Sequence, residues 1–236
     1  MLLEVHQLSA GYGLKGVVHG VDLHVGEREV VAILGHNGVG KSTLLNALCG
    51  VNKPTAGRVL FNGRDITGRS PADNVPDGLS YAQQGADVFK TLSVTDNLMM
   101  GGFALADQAQ VERAVLEVQE LFPALKARAN NKAGALSGGE RQMLSIGMLL
   151  VASPKLVVLD EPSGGLSPMF VDRVYDTIAD IRNRLGASVI VVEQDLSHVM
   201  AVADRAYVMA NGKITFETST KAPGALAALE QNLMAF

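Results

Sequence analysis

The chain of 236 residues has room for one large domain, or for one domain with a subdomain. Its net charge of −4, with no standout cluster of lysine or arginine, counts against a nucleic-acid partner held by phosphate neutralisation. The single cysteine, Cys49, excludes an internal disulfide and fits a reducing cytosol.

At the N-terminus, Met1-Leu2-Leu3-Glu4-Val5 lacks a basic segment followed by an apolar one, so no secretory signal is expected. The first strong pattern is Gly35-His36-Asn37-Gly38-Val39-Gly40-Lys41-Ser42-Thr43, which fits G-x-x-x-x-G-K-[ST]. The apolar run Val30 to Leu34 predicts a buried strand leading in. Leu44 to Leu48 predicts a helix leading out, with Gly50 placed to stop it. Glycines let such a loop turn several backbone N–H groups onto one anion, and the helix dipole adds to the attraction. Lys41 can reach the β- and γ-phosphates of a nucleotide, and the Ser42 hydroxyl can ligate Mg²⁺. Cys49, on the same helix, reads as a small core residue.

Further along, Asn62-Gly63 and Asn211-Gly212 each lie between strand-like segments. Both predict hairpins, because Asn-Gly supplies the two positive φ angles of a type I′ turn. Asn37-Gly38 is no hairpin, since a helix follows it. Ser93 with Asp96 predicts a helix start, and Val111, Val115, Val118 and Phe122 form an apolar helical stripe that Pro123 ends. From about Leu92 to Ala152 the pattern is helical and reads as an insert between two parts of an α/β core. The longest apolar stretch, Met143 to Ala152, is broken by Ser145 and Gly147, and no run approaches the ~20 residues of a membrane span. In the C-terminal piece, Pro223 to Phe236, Leu226, Leu229 and Leu233 recur at helical spacing, and the piece is expected to pack on its own domain. The five histidines (His6, His19, His24, His36, His198) show no metal-ligand spacing and read as structural or solvated.

Leu156 to Leu159 and Val189 to Val192 predict parallel strands covered on both faces. They end in Asp160-Glu161 and in Glu193-Gln194-Asp195. Ligands of open parallel sheets gather beyond the carboxyl ends of the strands, so the ends at Gly35, Asp160 and Glu193 are expected to converge on one site. Of the adjacent carboxylates, Asp160 is assigned to the metal and Glu161 to general-base or water-positioning work. Leu136-Ser137-Gly138-Gly139-Glu140-Arg141-Gln142 opens a helix running from about Met143. Ser137 and Glu140 make a capping box. The cap does not need the two glycines, and small residues at a helix tip let a phosphate approach the backbone. A second anion site on a separate subdomain is expected to serve a neighbouring subunit's nucleotide.

That segment resembles the signature of the ATP-binding cassette (ABC) ATPases. With Gly35–Thr43 and Leu156–Pro162 it follows the family's order over nearly the whole chain. The resemblance implies a P-loop NTPase α/β fold with a mainly parallel sheet, an N-terminal antiparallel β subdomain and an inserted helical subdomain. The core would be 1–86 and 153–236, and the insert 87–152. It implies ATP and Mg²⁺ as cofactors. Gly35, Asn37, Gly38, Gly40, Lys41, Ser42 and Thr43 would hold phosphate, and Tyr12 would stack on adenine. Gln84, preferred over Gln83, would touch Mg²⁺ or water and sense the membrane subunits. Two such subunits would face head to tail, each nucleotide closed by Ser137, Gly138, Gly139 and Glu140 of the partner.

Finer features resemble one branch, the second ATPase subunit of branched-chain amino acid importers and their urea and amide relatives. These are Leu8 to Gly13, Glu161 to Pro168, and Val192-Glu193-Gln194-Asp195. Most of the family has histidine at Gln194 and aspartate at Ser167, and the branch resembles this chain at both. Met148 stands where the branch usually has arginine. The Gln194 amide would hydrogen-bond the γ-phosphate without becoming cationic, which points to a non-identical partner carrying the histidine, with a homodimer as the alternative. Permease subunits and, indirectly, an external solute-binding protein complete the implied assembly. The chain would be peripheral on the cytoplasmic side of the membrane and would power uptake of branched-chain amino acids, or alternatively of urea or short-chain amides, or serve another ABC transporter.

Overall fold

The computed structural model describes residues 1–85 and 88–235. The expected boundary between core and insert, at 86 and 87, lies outside the described residues.

The chain opens with β1 (Leu3–Tyr12) and β2 (Lys15–Val25), followed by β3 (Val30–Leu34), α1 (Lys41–Cys49), β4 (Ala56–Phe61) and β5 (Arg64–Asp65). The short α2 (Pro71–Asn74) leads to β6 (Leu79–Ala82), and a helical stretch follows: α3 (Val94–Gly101), α4 (Gln108–Leu121), α5 (Pro123–Lys126) and α6 (Gly138–Val151). The remainder alternates: β7 (Leu156–Asp160), α7 (Pro168–Asn183), β8 (Ser188–Glu193), α8 (Leu196–Val202), β9 (Arg205–Ala210), β10 (Lys213–Ser219) and α9 (Ala225–Met234).

Two sheets result. One is antiparallel, in the order β2-β1-β4-β5. The other runs β10-β9-β3-β8-β7-β6, parallel except where β10 folds back on β9. Alternate residues of the parallel strands enter different cores. Ala32, Val157, Leu159 and Val191 join α3, α4, α6 and α7 on one face, while Val31, Ile33, Val158 and Ile190 join α1 and the antiparallel sheet on the other. That double cover is why these strands read as unbroken apolar runs. Fully burying each valine, leucine or isoleucine among them contributes roughly 1.5–3 kcal/mol.

Local signals act as the sequence implies. Asn62 and Gly63 adopt φ of 51° and 75°, and Asn211 and Gly212 adopt 48° and 76°, so both hairpins carry two left-handed residues. Ser93 and Asp96 form a complete capping box, and Gly50 ends α1 in the left-handed region. The stripe of α4 is buried, and Phe122 caps that helix just before Pro123. Cys49 is buried, and burial pushes its thiol far up.

The C-terminal piece packs on its own domain: Leu229 is buried and Leu233 packs against the core, while Leu226 is 46% exposed and the small Ala225 occupies the buried place one residue earlier. One expectation changes. The helix after Leu136 starts at Gly138 rather than near Met143, so both signature glycines lie inside its first turn. No helix among the described residues is long and apolar enough to cross a membrane.

Candidate active site

β3 delivers the chain to Gly35, where a Cβ would stand 2.4 Å from the Met209 carbonyl oxygen of β9, so only glycine fits. Gly38 and Gly40 take φ of 81° and 110°, and Gly40 caps α1 from the left-handed region. Lys41 opens the helix with its side chain 4% exposed. Its Nζ donates to the carbonyls of Gly35 (2.7 Å) and His36 (3.1 Å), so the ammonium lies in the mouth of the loop. Ser42 is exposed beside it and Thr43 is buried. Tyr12, 52% exposed at the end of β1, meets the same helix. Hydrogen bonding from Thr43, then from Asn46, holds its phenol below the usual range.

The carboxylates take different environments. Asp160, last in β7, is 3% exposed. Burial raises its pKa, the Ser42 hydroxyl beside it works against that, and the charge of Glu161 adds to the rise. Its Oδ2 accepts from the Tyr81 hydroxyl (3.5 Å), while its buried Oδ1 has no hydrogen-bond partner. Glu161 adopts a φ of +46° and donates its N–H to the Val192 carbonyl (3.0 Å). Its carboxylate collects donors from three directions: Gln84 Nε2 at 2.9 Å, Gln194 Nε2 at 2.9 Å and Lys41 Nζ at 3.4 Å. Gln194 Nε2 also lies 2.9 Å from Asn37 Oδ1 in the loop. Thus the carboxyl ends of β3, β7 and β8 converge, and β6 joins them through Gln84. Glu193 itself does not face this site. Side chains alternate along β8, so Gln194 reaches the loop while Glu193 turns inward to accept from Ser163. Gln83 faces elsewhere, lining a cavity of about 230 Å³ with Val51, Tyr81 and Met148.

The signature tip stands apart. Ser137 accepts from the N–H of Glu140 (3.2 Å), and Glu140 Oε2 accepts from the N–H of Ser137 (2.8 Å). That backbone bond, foremost, keeps Glu140 ionised below the usual range, and Arg128 adds an ion pair at 3.2 Å. The two glycines differ. A Cβ on Gly139 would stand 2.1 Å from the Phe170 ring, so packing within the chain already requires that glycine. A Cβ on Gly138 would meet nothing within 4 Å. Among the described residues no hydrogen bond or ion pair joins Ser137–Glu140 to Gly35–Thr43.

This arrangement agrees with what the chain is similar to. The family model described as ABC transporter matches residues 18–164, more than half of the chain. The chain belongs to the ABC transporter family. It is 39% identical over 213 residues to the high-affinity branched-chain amino acid transport ATP-binding protein BraG of Pseudomonas aeruginosa, covering 90% of this chain and 91% of that one. It is 34% identical over 215 residues to the probable branched-chain amino acid transport ATP-binding protein LivF of Archaeoglobus fulgidus, covering 91% of each. Among solved structures, the ADP conformation of MJ1267, an ATP-binding cassette of an ABC transporter, superposes with a TM-score of 0.87 at 28% identity, over 99% of this chain and 97% of that one. The protein is therefore an ABC ATPase with the family's P-loop α/β fold and antiparallel N-terminal sheet.

Further contacts of this ABC ATPase surround the site. Asn46 links Tyr12 to Tyr81, accepting from the Tyr81 hydroxyl at 3.1 Å, and Tyr81 leads on to Asp160. His36 Nε2 lies 2.9 Å from the Leu233 carbonyl, tying the phosphate loop to α9. Ser167, the branch character, is the N-cap of α7 without a side-chain bond; its carbonyl accepts from Phe170 and Val171. Met148 lies on α6 where Gly101 approaches so closely that a Cβ would stand 2.0 Å from the Met148 carbonyl oxygen. No sequence signal marks the contacts of Asn46, His36 and Met148, because each joins residues from different elements.

Proposed function

We propose that this chain hydrolyses ATP to power an importer of branched-chain amino acids or closely related small solutes. The observation that carries the hydrolytic reading is the Glu161 carboxylate, held between Gln84 and Gln194 and 3.4 Å from Lys41 at the mouth of the phosphate loop. The solute class is supported by the names of BraG and LivF.

The roles follow from the geometry. The N–H groups of the loop, with Gly35, Gly38 and Gly40 giving access, surround the β- and γ-phosphates. Lys41 exchanges its loop carbonyls for phosphate oxygens, and Asn37 and Gln194 hydrogen-bond the terminal group. Tyr12, exposed beside α1, stacks on the base. The residues present fit Mg²⁺, since the orphaned buried Oδ1 of Asp160 lies on a carboxylate with Ser42 beside it. Ser42, Asp160 and Gln84 would hold the ion, which when bound draws charge from the phosphate oxygens. Glu161 orients the attacking water and takes its proton.

The isolated signature tip supports a head-to-tail pair in which Ser137, Gly138 and the first turn of α6, through Glu140, close the partner's nucleotide. Residues 87–152 would move as the helical unit that carries the tip. The cavity beside Gln83 and Met148, adjacent to Gln84, is where a permease subunit would dock. The chain would then lie on the cytoplasmic side of the membrane, with an external binding protein delivering the solute.

Reconstitution with the second ATPase and the permease subunits in vesicles tests the proposal. ATP-dependent uptake of leucine, isoleucine or valine is expected. Uptake of urea or acetamide alone would favour the alternative solute class, and absence of ATP hydrolysis in the full assembly would overturn the reading.

A further inference from the structure

We propose that Glu193 is a positioning residue for hydrolysis: its buried carboxylate braces the turn after β7 and so fixes where Glu161 points. The inference rests on the reading of Glu161 as the group that handles the attacking water.

It begins with backbone strain. Glu161 carries a Cβ yet adopts a φ of +46°. Such a conformation persists only where the surroundings over-determine it. Three restraints are visible. The Glu161 N–H donates to the Val192 carbonyl at 3.0 Å, and the Glu161 carbonyl accepts from the Gly164 N–H at 3.1 Å. Two residues further on, Ser163 donates both its backbone N–H (3.3 Å) and its hydroxyl (2.7 Å) to one oxygen, Glu193 Oε1. The first and third restraints come from consecutive residues of β8, so the strand holds the turn at two points.

The next residue holds the other end. Gln194 leaves the opposite side of the chain and donates to Glu161 Oε1 at 2.9 Å. One short segment, Val192-Glu193-Gln194, thus holds the backbone, the following turn and the carboxylate of Glu161. A carboxylate is a costly choice for the inward position. Glu193 is 5% exposed on a strand whose other residues are apolar or small, and an apolar side chain would pack there without desolvating a charge. Its visible contribution is the double acceptance from Ser163, which no hydrocarbon side chain offers. Tyr175, 5% exposed and stacked on His198, closes the surroundings of the carboxylate and limits access of water that could replace these bonds.

The test is steady-state ATPase in the assembled complex. Glu193→Ala and Glu193→Val should lower kcat by about 10-fold or more, the scale of a displaced catalytic group. KM for ATP and the affinity for a fluorescent ATP analogue should change by less than about 2-fold, because the phosphate loop is untouched. Glu193→Gln should recover kcat to within about 3-fold of wild type, since its amide oxygen accepts from both Ser163 donors. Ser163→Ala, which loses one of the two bonds, should fall between and keeps the test open if the alanine variant of Glu193 does not fold. A wild-type kcat in Glu193→Ala, a Glu193→Gln variant as slow as Glu193→Ala, or nucleotide affinity falling in step with kcat would each overturn the proposal. Glu161→Gln in the same assay separates the two readings. A near-normal rate there removes the role of Glu161 itself, whereas a slow Glu161→Gln beside a normal Glu193→Ala removes only the brace.

Discussion

Three side-chain donors on one carboxylate, from the segments just after β6 and β8 and from the start of α1, give Glu161 a single direction. Glu161→Gln should slow hydrolysis by about 10²–10⁴-fold, the usual contribution of a general base. ATP binding should persist because Lys41 and the loop are intact; single-turnover hydrolysis with equilibrium nucleotide binding checks both halves. Gln194→Ala should cost less. It removes one amide donor to Glu161 and one contact to Asn37 but leaves Gln84 and Lys41 in place, and the same assay should rank it above Glu161→Gln in rate. At this scale Lys41, Asp160 and Glu161 were legible, because the phosphate pattern and an acidic strand end each carry a chemical reason in a few adjacent residues. The strand end at Glu193 joins the site through Gln194, while the inward bond of Glu193 to Ser163 carries no signal in sequence, because adjacency hides the alternation that sends neighbouring side chains to opposite faces. Asn46, Tyr81 and Phe170 were invisible because their partners lie on other elements.

Elements were legible wherever a local rule fixed them. Asn-Gly pairs gave the hairpins, Ser-x-x-Asp and Ser-x-x-Glu gave the capping boxes of α3 and α6, and unbroken apolar runs gave β3, β7 and β8. Four-residue β6, with polar Ser80 buried in it, carries no such signal. α6 begins at Gly138 rather than near Met143, because the Ser137–Glu140 capping box holds both glycines in the first turn. Those glycines now make distinct predictions. Gly139→Ala drives a methyl into the Phe170 ring and should lower stability by about 1–3 kcal/mol, measured by urea unfolding of the free subunit. Gly138→Ala meets nothing within the chain and should unfold like wild type, yet slow ATPase of the assembled complex by crowding the partner's phosphate. Equal loss of stability in both variants would mean that the tip serves only its own fold.

For the whole molecule, one sheet covered on both faces places the phosphate loop and the carboxylates at a shared edge, while the signature tip stands on a separate helix with no bond to that loop among the described residues. On the proposed function, the site would be complete only when another subunit supplies a tip. With Gln194 in place of a group that can become cationic, this subunit mixed with a histidine-bearing partner should show higher ATPase than either alone; full activity from this chain by itself would contradict a non-identical pair. The closure is tested most directly by a cryo-EM map of the complete assembly bearing Glu161→Gln and trapped with ATP and Mg²⁺. The tip formed by Ser137 and Gly138 is expected within hydrogen-bonding distance of the γ-phosphate held by the opposite subunit's Gly35–Thr43 loop. A map showing bound ATP in that loop with every such tip directed into solvent would contradict the account.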